Sequence, residues 1–279
     1  MSADLHYMNA NGLRFAYHER GTGPLVLLVH GFPDTPHTWD ATMVALADAG
    51  FRAVAPFQRG YHPSEPPSTE QYDSDTLGAD VLAWIAALGE TSAIVVGHDW
   101  GASAAYAAVG LAPDRVRMLV TVAIPHPAGI LPTPKILWSV RHFLSLRRKH
   151  AAKWIRAGEF AHIDELVQRW SPAWKVPPGE TDATKRSLRE PGSLEAALGY
   201  YRALRLWLPK SHRVPVTVPA VAFAGTQDMV PVAAYERARR RYRDRYEVIA
   251  MPGGHFMHRE HPDHFNRELL RVLTPLRTT

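Results

Sequence analysis

The chain has 279 residues, 46% of them hydrophobic, which is enough for one large domain with a buried core and excludes a disordered protein. It contains no cysteine, which excludes disulfides and thiolate chemistry and suits a reducing compartment, so we expect a cytoplasmic protein. The net charge of +5 comes partly from basic runs at 147–149 and 239–241, which are typical of solvated helix faces, so neither nucleic acid nor a membrane is an expected partner.

Along the chain, the predicted elements first alternate between strands and helices. Residues 1–11 are polar and predict no secretory signal. Strands are predicted at 13–19, 25–29, 52–55, 93–96 and 116–123, and helices at 38–49, 74–88 and 101–111. Most of these strands are apolar on both faces, which predicts a parallel sheet covered by helices.

The alternation then stops between about 125 and 215, where helical stretches are broken by prolines and no strand is predicted. It resumes with strands at 218–224 and 247–250 and helices at 232–242 and 261–273. We therefore predict an α/β core made of residues 1–125 and 216–279, with residues 126–215 as an inserted helical cap.

The segment GHDWG at 97–101 lies between a predicted strand and an alanine-rich helix. This layout is typical of a nucleophile elbow, in which a sharp strand-to-helix turn exposes one side chain. The central residue here is Asp99 rather than serine. A carboxylate with an ordinary pKa of about 3.9 is already ionised at neutral pH, so it can attack carbon without a base. The alternative interpretation is an ordinary turn with an acidic helix cap.

Two further residues, an aspartate and a histidine, each follow a predicted strand. Together with Asp99 they give the chain order of nucleophile, acid and histidine that such a catalytic set requires. Asp228 comes after the strand at 218–224, and His255 comes after the strand at 247–250. Because the carboxyl ends of parallel strands share one edge of a sheet, we expect both to meet Asp99 there. In this interpretation His255 removes a proton from water, and Asp228 orients the imidazole.

An oxyanion hole is also predicted. In this architecture it combines the main-chain N–H after the nucleophile, here that of Trp100, with an N–H from the loop after an earlier strand. Phe32, in the loop HGFP at 30–33, is the predicted second donor.

On these motifs the chain resembles α/β-hydrolases of the epoxide hydrolase and haloalkane dehalogenase group, over nearly its full length. The loop HGFP matches the epoxide hydrolase form, whereas haloalkane dehalogenases usually carry asparagine at the position of Phe32. The loop around RGY at 59–61 is also similar, although Phe57 and His62 replace the family's aspartate and second glycine. The resemblance implies an α/β-hydrolase fold with a mostly parallel eight-stranded sheet and an inserted cap.

The resemblance extends to the cap, where epoxide hydrolases use two tyrosines to hold the epoxide oxygen. The segment containing Tyr200 and Tyr201 matches the motif of the second tyrosine, with Tyr201 at the matching position. The first tyrosine has no counterpart, and His142 is the candidate to replace it as a hydrogen-bond donor. Trp138 is a candidate indole N–H donor, which a departing halide would need. Both tyrosines could instead be packing residues of a cap helix.

The resemblance thus implies a hydrolase that opens an apolar, small-molecule epoxide to a vicinal diol, with no metal or organic cofactor. Haloalkane dehalogenation by the same three residues is the alternative. A non-catalytic binder of small molecules is a third hypothesis, because a fold does not determine function. The sequence does not exclude a homodimer.

Overall fold

A computed structural model describes residues 4–205 and 207–277, apart from the side chain of Lys135. Residues 1–3, which belong to the N-terminal stretch predicted to be polar, lie outside the described residues. The strands are β1 (Leu5–Ala10), β2 (Leu13–Arg20), β3 (Leu25–Val29), β4 (Arg52–Pro56), β5 (Ala93–His98), β6 (Val116–Val122), β7 (Ala220–Gly225) and β8 (Tyr246–Met251). The helices are α1 (Asp40–Asp48), α2 (Ser74–Ala87), α3 (Trp100–Leu111), α4 (Pro134–Ser139), α5 (His142–Leu146), α6 (Ala151–Trp170), α7 (Asp182–Arg189), α8 (Ser193–Ala203), α9 (Val232–Ala238), α10 (Met257–Glu260) and α11 (Pro262–Leu273).

The strands form one eight-stranded sheet in the order β1-β2-β4-β3-β5-β6-β7-β8. Strands β3 to β8 are parallel to one another, and β1 and β2 join them in antiparallel fashion at one edge. The predicted mostly parallel, eight-stranded sheet is therefore confirmed. Strand β1 is the one that residue patterning did not reveal, because only Met8 and Ala10 of its six residues are buried.

Strand β5 runs through the centre of the molecule, and all six of its residues are buried. Alternate strand side chains contribute to two hydrophobic clusters, one on each face of the sheet. Helices α2 and α3 cover one face, while α1 and α11 cover the other. Because β5 ends in the middle of the sheet's carboxyl edge, the residue that follows it faces the place where such sheets bind ligands.

Five helices, α4 to α8, lie between β6 and β7, and we call residues 126–215 the cap segment. Within its described part, 126–205 and 207–215, there is no strand, as predicted. Its longest helix, α6, is interrupted by non-helical backbone at residues 157–160. The division into a core and a cap domain remains a prediction. Among the described helices, none is both long and apolar enough to span a bilayer.

Candidate active site

Asp99 occupies a strained backbone conformation between β5 and α3. Its φ is 52° and its ψ is −116°, a backbone region that residues other than glycine rarely adopt. The two glycines of the segment make the sharp turn possible. A Cβ added at Gly97 would collide with the main chain of Gly101, and one added at Gly101 would collide with the carbonyl of Val29. The elbow conformation therefore follows directly from the spacing of small residues.

The two oxygens of the Asp99 carboxylate have different partners. The main-chain N–H of Phe32 donates to Oδ1 at 2.8 Å, while Oδ2 lies 3.6 Å from Nε2 of His255. The side chain keeps 13% of its surface accessible. Burial opposes ionisation, but the imidazole of His255 and the N–H of Phe32 outweigh it and lower the pKa of Asp99. The Asp99 carboxylate is therefore ionised, and part of the side chain remains accessible.

His255 and Asp228 lie beside the elbow, as the chain order predicts. Nδ1 of His255 is 3.4 Å from Oδ2 of Asp228, and both side chains are almost completely buried. Burial would lower the pKa of His255, but the charges and hydrogen bonds of Asp228 and Asp99 raise it from 6.5 to about 10. His255 is therefore an imidazolium at neutral pH.

The cap segment holds the main chain around His255. The carbonyl of Trp170, at the end of α6, accepts a hydrogen bond from the N–H of His255 at 3.0 Å. The hydroxyl of Ser171 accepts from the N–H of Phe256 at 3.1 Å and donates to the Glu260 carboxylate at 2.5 Å. The position of the histidine loop thus depends on the end of a cap helix, which no sequence motif indicated.

Tyr201 lies over the elbow on helix α8. Its side chain is 1% exposed, and its ring makes edge contacts with Phe32 at 5.3 Å and Trp100 at 5.2 Å between centroids. Burial and the charge of Asp99 raise the pKa of the phenol well above its usual value, and the Trp100 indole opposes this only in part. Tyr201 therefore keeps its proton at neutral pH and can donate it.

The neighbouring Tyr200 also lies near the elbow, with its ring 5.8 Å from that of Trp100, and its expected role in substrate binding stays a prediction. Its hydroxyl donates to the main-chain carbonyl of Arg59 at 3.0 Å. The guanidinium of Arg59 in turn forms a buried ion pair with Asp80. Adjacent residues on α8 point to different sides, so Tyr200 braces the core while Tyr201 faces the elbow.

His142 is buried near Tyr201, with 6.4 Å between the centroids of the two rings. Burial lowers its pKa to about 4, and Nδ1 lies 3.1 Å from the carbonyl of Ser139. A carbonyl can only accept, so Nδ1 carries the single proton of the neutral ring and Nε2 is an acceptor. The expected role of His142 as a proton donor is therefore not supported.

Trp138, the candidate indole N–H donor, lies on the surface, and its role stays a prediction. Its side chain is 69% exposed and stacks with the guanidinium of Arg141. The tryptophan of the cap segment that lies beside His255 is Trp170, which is 4% exposed and has its ring 5.4 Å from the imidazole. The two tryptophans lie on α4 and the end of α6, and only tertiary packing distinguishes them.

A mostly buried arginine that sequence motifs did not indicate links the HGFP loop to the cap segment. Arg259 lies 2.9 Å from the Asp34 carboxylate and 2.6 Å from that of Glu180. Burial would lower the pKa of Arg259, but the two carboxylates outweigh it and raise the pKa. Asp34 follows directly after the HGFP loop, so this ion pair supports the position of Phe32.

The chain is similar in sequence and in fold to several known proteins. The profile of the family described as alpha/beta hydrolase fold matches residues 24–262. The protein named epoxide hydrolase A of Mycobacterium tuberculosis (strain ATCC 25618 / H37Rv) is 30% identical, across 96% of this chain and 97% of its own length. The AB hydrolase superfamily protein YfhM of Bacillus subtilis (strain 168) is 28% identical across 96% of each chain. A crystal structure of Bacillus megaterium epoxide hydrolase with an inhibitor matches with a TM-score of 0.87 and 25% identity, covering 96% of this chain and 99% of that one.

Proposed function

The chain is an epoxide hydrolase-like member of the α/β-hydrolase fold family, and from this premise we propose that it opens epoxides to vicinal diols through an ester on Asp99. The single observation that carries the proposal is the position of Tyr201. A buried phenol that keeps its proton contacts Phe32, whose main-chain N–H donates to the Asp99 carboxylate, and Trp100, the next residue along the chain.

In the first step Oδ2 of Asp99 attacks one epoxide carbon, and the ring C–O bond breaks. The electron pair stays on the ring oxygen, which takes the proton of Tyr201. An alkoxide is a poor leaving group, so such acid assistance contributes about 10²–10⁴ in rate. Because Nε2 of His142 is an acceptor, Tyr201 is the proton donor in this proposal, and His142 orients rather than protonates.

Formation of the ester changes the charge around His255. The negative charge of Asp99, one cause of the raised pKa of His255, disappears when the carboxylate becomes an ester. The pKa of His255 then falls, and the proton that it releases restores the one that Tyr201 gave. The imidazole becomes a base at the moment when a base is required.

In the second step neutral His255 takes a proton from water, whose oxygen attacks Cγ of Asp99. The charge that develops on Oδ1 is stabilised by the N–H of Phe32 and, we propose, by that of Trp100. Collapse expels the diol oxygen, which takes the proton from His255. The new carboxylic acid of Asp99 then protonates His255, and the resting ion pair returns.

A panel of styrene-type and aliphatic epoxides tests this proposal directly. We expect the wild-type protein to form diols and Asp99→Asn to form none. Diol formation that persists in Asp99→Asn contradicts the covalent route, and absence of turnover by the wild-type protein together with tight ligand binding supports the non-catalytic alternative.

Dehalogenation of haloalkanes by the same ester is a second candidate, and one observation favours it. The buried indole N–H of Trp170 has no hydrogen-bond partner among the described residues, and its ring lies next to His255. A departing halide needs N–H donors rather than an acid. Halide release from a haloalkane panel, without diol formation from epoxides, would place this candidate first.

A further inference from the structure

Behind the catalytic residues lies a buried row of side chains for which the proposed mechanism has no use. Oγ1 of Thr38 lies 2.6 Å from Nε2 of His258, and Nε2 of His98 lies 3.0 Å from the carbonyl of His255. The rings of His98 and His258 are 4.6 Å apart, and Trp39 packs against His258 at 4.7 Å. Thr38, His98 and His258 are at most 6% exposed.

The hydrogen-bond partners determine where the protons are. A carbonyl only accepts, so Nε2 of His98 carries the proton that it donates to His255. Burial lowers the pKa of His98 to about 3, so this ring is neutral and its Nδ1 is an acceptor. Burial also lowers the pKa of His258 well below 6.5, so His258 carries one proton as well.

Nδ1 of His98 and Nδ1 of His258 are both buried without a hydrogen-bond partner in the described part of the chain. Their rings pack 4.6 Å apart between centroids, so a ring rotation or one bridging water would bring a proton on Nδ1 of His258 within hydrogen-bond distance of Nδ1 of His98. With the proton on Nδ1, Nε2 of His258 is the acceptor that the hydroxyl of Thr38 fills. Each ring nitrogen of the row would then have one partner of the right kind.

A metal ion is the competing explanation, since His98, His258 and Asp34 offer ligand atoms within 4.8 Å of one another. The carboxylate of Asp34, however, already accepts from the N–H of Thr35 and pairs with Arg259, each at 2.9 Å. A cation here would lie against the charge of Arg259. The hydrogen-bonded row therefore accounts for these contacts better than an ion does.

We propose that Thr38, His258 and His98 form a positioning relay that fixes the main chain of His255, so that its imidazole faces the ester on Asp99. The N–H of His255 is held by the cap segment through Trp170, and its carbonyl is held by the core through His98. The inference rests on the proposed function. His98 and His258 are positioning residues in it, because they act through His255.

The relay makes a spectroscopic prediction that is independent of catalysis. Nitrogen-15 NMR of the histidine rings at neutral pH should show His98 with its proton on Nε2 and His258 with its proton on Nδ1. A proton on Nε2 of His258 overturns the relay. Stoichiometric binding of Co²⁺ or Zn²⁺ that His98→Ala and His258→Ala both abolish also overturns it, in favour of the metal explanation.

The relay also makes a kinetic prediction. His258→Leu removes the donor to His98, whereas the amide of His258→Gln can donate to His98 and accept from Thr38. We expect the leucine variant to hydrolyse the ester roughly 10- to 100-fold more slowly while alkylation changes little, since misplacement of about 1 Å costs this much. The covalent adduct should then accumulate in the intact mass spectrum, and the glutamine variant should restore its turnover.

Thr38→Val provides a milder change if His258→Leu does not fold, and it should also accumulate adduct. Equal slowing of alkylation and ester hydrolysis in the folded variants overturns the relay. If the wild-type protein forms neither adduct nor diol from any epoxide, the proposed function fails, and the NMR assignment still decides whether the hydrogen-bonded row exists.

Discussion

Nε2 of His255 and Oδ2 of Asp99 lie 3.6 Å apart, and each group favours the charged form of the other. Asp99→Asn removes this charge while keeping nearly the same shape, and so it imitates the charge state of the ester. We expect the pKa of His255, about 10 in the wild-type protein, to be lower in Asp99→Asn. NMR titration of the His255 ring measures both values, and equal pKa values in the two proteins would contradict the proposed release of the proton.

The same shift makes folding stability depend on pH. The pKa of His255 rises on folding from 6.5 to about 10, so its contribution to stability is complete below pH 6.5 and is lost as the pH rises through 10. We expect the difference in unfolding free energy between wild-type protein and His255→Gln to shrink over this interval. Denaturant titrations at several pH values measure it, and a difference that is constant with pH argues against a charged His255.

Tyr201→Phe should slow alkylation by epoxides by about 10²–10⁴, because the departing alkoxide loses its proton donor. Tyr200→Phe is the matched control on the same helix, since its hydroxyl is already donated to the carbonyl of Arg59 and the variant keeps the ring. We expect the control to keep an alkylation rate near that of the wild-type protein. Single-turnover kinetics measure this step, and equal losses in the two variants would remove Tyr201 from the mechanism.

His142→Phe tests whether the cap supplies one proton donor or two. Because Nδ1 of His142 is committed to the carbonyl of Ser139, we expect alkylation to fall by less than about tenfold, well short of the loss expected for Tyr201→Phe. The same single-turnover assay applies. A loss as large as that of Tyr201→Phe would show that Nε2 of His142 donates to the substrate.

Arg259→Met should lower the free energy of unfolding by about 3–5 kcal/mol, since it leaves the buried carboxylate of Asp34 without a counter-charge. The exposed pair of Arg156 and Glu195 provides the control, and Arg156→Met should cost no more than about 1 kcal/mol. Chemical denaturation measures both. Similar small losses would mean that Arg259 does not join the oxyanion loop to the cap segment.

Local patterns predicted the elements that lie close to the elbow. Glycine spacing around Asp99 identifies the turn because any larger side chain would collide there, and the apolar runs identify the buried strands. Strand β1 was not predicted because four of its six residues are exposed, which leaves only Met8 and Ala10 to mark a buried face.

The contacts of the cap segment, and those of the residues behind Asp99 and His255, could not be predicted from local sequence patterns. Trp138 and Trp170 are equivalent as residue types, and only packing turns one outward and the other toward His255. The donor or acceptor character of His142 depends on a carbonyl three residues away, and that of His98 on a carbonyl 157 residues away. Such assignments require the three-dimensional structure, because the periodicity of the sequence does not determine which donor meets which acceptor.

Attack on the substrate by the carboxylate of Asp99 can be followed in a single turnover in H₂¹⁸O with enzyme in excess over epoxide. We expect the first diol to carry no ¹⁸O and the peptide containing Asp99 to gain the label, because water attacks Cγ of the ester. A first diol that carries ¹⁸O, together with an unlabelled Asp99 peptide, would contradict attack by Asp99.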